Sequence, residues 1–97
     1  MGKAKTKSDK AIAYYRLGLF HDNNGRESEA IPYYRNALKL GLDAGMRAKA
    51  LAWLASSLYK TGKSGEALKT IPKAMRLADE ELLKFLEKLQ KRIKDMA

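Results

Sequence analysis

The sequence predicts an all-α fold in which two helical hairpins stack in tandem and one further helix closes the stack. Three observations carry that expectation. Alanine, leucine and lysine dominate a chain of 97 residues that has no valine and only two prolines, a composition of helix formers. Apolar residues return at spacings of three and four along the chain, which is the helical period. Gly25, Ala30 and Ala37 are matched at a constant offset of 37 by Gly62, Ala67 and Ala74.

The length suits one small domain, expected over 9–97. Residues 1–8 are polar, basic and aperiodic, and they read as a disordered tail. The first repeat spans about 9–42, the second about 44–78, and the closing helix about 79–96. Ser8 or Asp9 is the expected cap of the first helix, because a short oxygen side chain can accept from the free N–H groups of a first turn. Tyr14, Leu17, Gly18 and His21 then form its expected inner face. Asn23, Asn24 and Gly25 end it.

The second helix is expected from Glu27 to Leu40, with Ala30, Ile31, Tyr34, Ala37, Leu38 and Gly41 turned inward. Pro32 falls near its first turn, where a missing N–H costs least. The third helix covers Ala44–Thr61, with Leu51, Leu54, Ala55 and Leu58 inward, and Gly62 stops it. The fourth runs from Ser64 to Ala78 and buries Ala67, Leu68, Ile71, Ala74 and Met75. Asp79 caps the fifth, whose apolar stripe is Leu82, Phe85, Leu86, Leu89, Ile93 and Met96.

A hairpin of two helices cannot bury both its faces alone, so recurrence in phase implies stacking. Alanines recur where facing helices approach closely, and Gly18 and Ala55, also 37 apart, do the same in the leading helices. Leu17-Gly18 and Leu54-Ala55, the turn glycines, Ala30 with Ala67, Tyr34 with Ile71, and Ala37 with Ala74 together resemble the tetratricopeptide repeat (TPR) over about residues 11–78. The stretch GRESEAIPYYRNALKLGL is similar to small, stand-alone bacterial members of that family. The resemblance implies a short right-handed α-solenoid. Its usual repeat is 34 residues, so the offset of 37 places about three added residues near Leu42–Met46. The proline that usually closes each repeat is missing.

On a helical wheel Lys49, Trp53, Ser56 and Lys60 point away from the core stripe of the third helix, and Ile12, Arg16, Leu19 and Asn23 are their counterparts 37 earlier. In the family this face lines a concave groove that holds peptides. The resemblance therefore implies a non-catalytic protein–protein interaction module, taking an acidic and apolar segment in a basic and apolar groove. The family's clamp for C-terminal carboxylates needs lysine and asparagine where this chain has Tyr15, Leu19, Ala52 and Ser56, so that activity is not expected.

Net charge is +9, and between Ala44 and Leu77 Glu66 is the only anion among seven cations. This makes nucleic-acid or anionic-surface binding the second reading, through a basic stripe of Lys69, Lys73 and Arg76. A homodimer through Leu83 and Phe85 is the third. No catalytic, cofactor or metal site is expected. The chain has no cysteine, its one histidine sits on a packing stripe, and Gly62-Lys63-Ser64-Gly65 lacks the strand context of a phosphate loop. With no long apolar run and no apolar leader in MGKAKTKSDK, a cytoplasmic protein is expected.

Overall fold

A computed structural model of the chain describes residues 6–96. Its elements are α1 (Lys7–Asn23), α2 (Glu27–Leu40), α3 (Ala44–Lys60), α4 (Ser64–Met75) and α5 (Glu80–Met96). No strand occurs among the described residues. α1 packs on α2, α2 on α3, α3 on α4, and α5 against both α3 and α4. The body is elongated, 52 × 26 × 18 Å, so each helix meets chiefly its neighbours in the stack.

The two hairpin turns are built alike. In the first, Gly25 N–H donates to the Asp22 carbonyl at 3.1 Å and Arg26 N–H to the His21 carbonyl at 2.8 Å. In the second, Gly62 N–H donates to the Tyr59 carbonyl at 3.1 Å and Lys63 N–H to the Leu58 carbonyl at 2.7 Å. Every partner lies 37 residues from its counterpart. Both glycines have left-handed backbone, with φ of 73° and 85°, a conformation that a Cβ disfavours.

The core follows the repeat. Ala30, Ala37, Ala67 and Ala74 are fully buried, as are Tyr34 and Ile71. Gly18 lies under the Tyr34 ring, so closely that a Cβ there would come within 2.6 Å of two ring carbons. The Tyr34 hydroxyl donates to Asp22 Oδ2 at 2.9 Å. Burial first, and then that bond and the carboxylate charge, push the phenol well above its ordinary pKa. Arg35 and Glu66 join α2 to α4 by a half-exposed ion pair at 2.8 Å.

Several expectations are corrected. Thr6 caps α1 in a reciprocal box with Asp9, displacing Ser8 and Asp9 as the cap. Lys7 and Ser8 are therefore helical, and only residues 1–5 of the expected tail lie outside the described residues. The buried face of α1 is Ala11, Tyr15 and Gly18. Leu17 is 42% exposed, because α1 has no preceding helix among the described residues to cover that side. Gly41 is an exposed C-cap with φ of 108°. α4 stops at Met75, three residues short of the expected end. In α5 the buried stripe is Leu86, Leu89 and Ile93, while Phe85 and Met96 remain exposed.

Candidate functional site

The leading helices α1 and α3 and the closing helix α5 are tied together by one tryptophan. Trp53 is half-buried in α3, and its indole N–H donates to the Tyr15 hydroxyl on α1 at 3.2 Å. Phe85 of α5 meets the indole edge-on, with centroids 5.2 Å apart and planes at 71°. Tyr15 is itself buried. That burial raises its phenol pKa, and the bond from Trp53 works in the opposite direction. Trp53, one of the expected groove residues, is thus held on two sides by neighbouring helices, and the open surface lies next to it.

That surface is a concavity of about 240 Å³ between α3 and α5. Ser56 and Lys60, both among the expected groove residues, line it together with Tyr59. Phe85, Lys88 and Arg92 supply the α5 wall, with Leu89 beneath. Three cations therefore share the lining with two aromatic rings, and no carboxylate belongs to it. Lys60, Lys88 and Arg92 form no ion pair among the described residues. Aromatic and apolar area of this kind can supply desolvation energy to a ligand, and cations without an ion pair attract negative charge.

The α1 members of the expected groove do not join this concavity. Ile12 and Leu19 are half-buried, Leu19 against the core, while Arg16 and Asn23 are exposed. Lys49 is exposed on α3 but lies outside the lining. Lys88 and Arg92 were missed because the fifth helix reads as a cap. The signal was present: α5 starts 36 residues after α3, which puts Lys88 and Arg92 in register with Ala52 and Ser56.

A second, larger cleft of about 760 Å³ opens where α2, α3 and α4 meet. Of the expected basic stripe, Lys73 and Arg76 border it, joined by Arg47, whereas Lys69 lies outside. His21 serves packing: its ring stacks on Tyr33 at 5.1 Å and 7°. Among the described residues, no group of three His, Cys, Asp or Glu side chains is placed to hold a metal. No described helix is long and apolar enough to cross a membrane.

Comparison with known proteins adds to this geometry. The sequence model of the tetratrico peptide repeat family matches residues 9–91. The chain is 37% identical over 70 residues to "Photosystem I assembly protein Ycf3" of Prochlorococcus marinus strain NATL1A, covering 72% of this chain and 40% of that protein. The protein of the same name from Synechococcus sp. strain CC9902 is 36% identical over 69 residues, 71% of this chain and 40% of the relative. The chain thus spans about two fifths of the length of the curated relatives it matches.

Proposed function

The chain belongs to the tetratricopeptide repeat family, and on that premise we propose that it is a protein–protein interaction module whose ligand is an acidic, apolar segment of another protein. The observation that carries this reading is the α3–α5 concavity, where Lys60, Lys88 and Arg92 stand unpaired around Tyr59 and Phe85. The proposed binding face also takes in the expected residues outside the concavity, Ile12, Arg16, Leu19 and Asn23 on α1 and Lys49 on α3, of which Arg16, Asn23 and Lys49 are exposed. Relatives named for assembling photosystem I support a role in bringing protein partners together. The photosystem itself is not carried over, because the shared segment is a minor part of those proteins.

Trp53 is the only tryptophan, and it contacts Phe85 at the rim, so its fluorescence reports on occupancy. Titrating the full chain with a peptide that alternates glutamate and phenylalanine should change Trp53 emission saturably. Lys88→Glu with Arg92→Glu should weaken that response about tenfold or more, with helicity unchanged. A silent tryptophan, or a response indifferent to the two reversals, would refute the groove.

A further inference from the structure

The larger cleft is separate from the groove. At about 100° per residue, Arg47, Leu51 and Leu54 fall on one side of α3, and Ser56, Tyr59 and Lys60 fall on the other. The two linings share no residue. Leu38, Leu51 and Leu77 give the cleft an apolar surface. Leu42 and Ala44 also line it, so the stretch by which the repeat exceeds 34 residues contributes directly to its wall. Arg47, Lys73 and Arg76 are exposed at its border, and none forms an ion pair among the described residues. Three carboxylates near them in sequence are engaged elsewhere. Asp43 accepts the Met46 N–H at 2.9 Å, Asp79 accepts the Leu82 N–H at 2.9 Å, and Glu66 pairs with Arg35.

We propose that this cleft is a second docking site, for an amphipathic helix with leucines on one face and carboxylates beside them, so that the module holds two partner segments on opposite sides of α3. Charge and shape select this occupant. A leucine-lined surface between helices takes apolar side chains at helical spacing, and the three cations answer flanking carboxylates. Nucleic acid would use the cations but leave the leucines unmatched. A second copy would bring another +9 charge to a basic surface. The cleft is too open to enclose a small ligand on most sides, as small-molecule sites do.

The test uses the full chain with its leucine methyls observed by NMR. The probe is a synthetic helical peptide with leucines at i and i+4 flanked by glutamates. A glutamine-for-glutamate peptide and a single-stranded RNA oligonucleotide serve as comparisons. The glutamate peptide should shift the methyl signals of Leu51, Leu54 and Leu77, and should still do so in the Lys88→Glu, Arg92→Glu chain. Lys73→Glu with Arg76→Glu should weaken this binding about tenfold or more while leaving the Trp53 response to the groove peptide intact. The glutamine peptide should bind more weakly. The proposal is overturned if those methyls do not move, if only Phe85 and Tyr59 ring signals move, if charge reversal changes nothing, or if RNA alone shifts the leucines. The groove is read through Trp53 and the cleft through the leucines, so either site can fail without the other.

Discussion

The two hairpins share one register but solve the same close approach differently. In the first, Tyr34 fills the interface and Gly18 opposite it gives up its side chain altogether. In the second, Ile71 takes the equivalent place and Ala55 stands at the position of Gly18, both fully buried in one core. The pair is therefore the unit that fills the space: a larger residue on the second helix demands a smaller one on the first. Tyr34 brings a polar tip as well as volume, and Asp22 supplies its acceptor. Ile71 needs none.

Exchanging the pairs breaks the comparison most directly. Gly18→Ala forces a Cβ against the Tyr34 ring and should lower unfolding free energy by about 1–3 kcal/mol. Adding Tyr34→Ile gives hairpin one the packing of hairpin two. The double variant should be more stable than the sum of the single costs predicts, by about 1 kcal/mol or more. Urea denaturation of the four proteins in the cycle measures this. Additive losses would mean that Gly18 and Tyr34 are not a matched pair.

The turns are where the hairpins agree. A Cβ at Gly25 or Gly62 would meet nothing within 4 Å, so only backbone conformation opposes substitution. Gly25→Ala and Gly62→Ala should each cost about 1–2 kcal/mol, from the left-handed penalty. Equal losses in thermal melts support equivalent turns. A clear inequality would show that one turn carries strain that the other does not.

Tyr34→Phe removes the one polar bond that distinguishes the first hairpin's core position, at a cost of about 1 kcal/mol. It also bears on pH. An unfolded tyrosine releases its proton near pH 10, whereas folded Tyr34 keeps its proton to higher pH. Above about pH 10 the unfolded state therefore binds fewer protons, and stability must fall as pH rises. The Phe variant should lose less stability than the parent between pH 9 and about 11. Tyr15, whose pKa is also raised, leaves a remainder of the slope in both proteins.

How much of this was legible follows from the same comparison. The turn glycines and the four repeated alanines were readable because each position is written twice. The buried side of α1 was not. Leu17 and Leu54 are equivalent in sequence, yet Leu54 shares a wall with Leu38 of α2 while Leu17 is half-exposed at the end of the stack. Burial there depends on having a neighbour, which periodicity within one helix cannot report. Trp53 was legible as lying off the core stripe, but its partners Tyr15 and Phe85 come from other helices. Of the residues lining the α3–α5 concavity, Ser56 and Lys60 were among those expected and Lys88 and Arg92 were not, because α5 departs from the repeat motif while keeping nearly its spacing.

Phe20 and Ser57 show the cost of that end effect in reverse. They are 37 residues apart, but Phe20 is 56% exposed on α1 and Ser57 is fully buried on α3. The hydroxyl thus sits in the dry position and the phenyl ring in the wet one. Ser57 Oγ finds no hydrogen-bond partner among the described residues, so its desolvation is uncompensated. Ser57→Ala removes the polar atom and little volume, and alanine also favours the helix. It should raise stability by about 0.5–1 kcal/mol, the only gain expected among these variants. Phe20→Ser, the reciprocal change, should be within about 0.5 kcal/mol of neutral for an exposed site. Denaturation midpoints measured side by side decide the matter: a loss at Ser57→Ala would mean that the hydroxyl is satisfied in solution, and that position in the stack does not govern this pair.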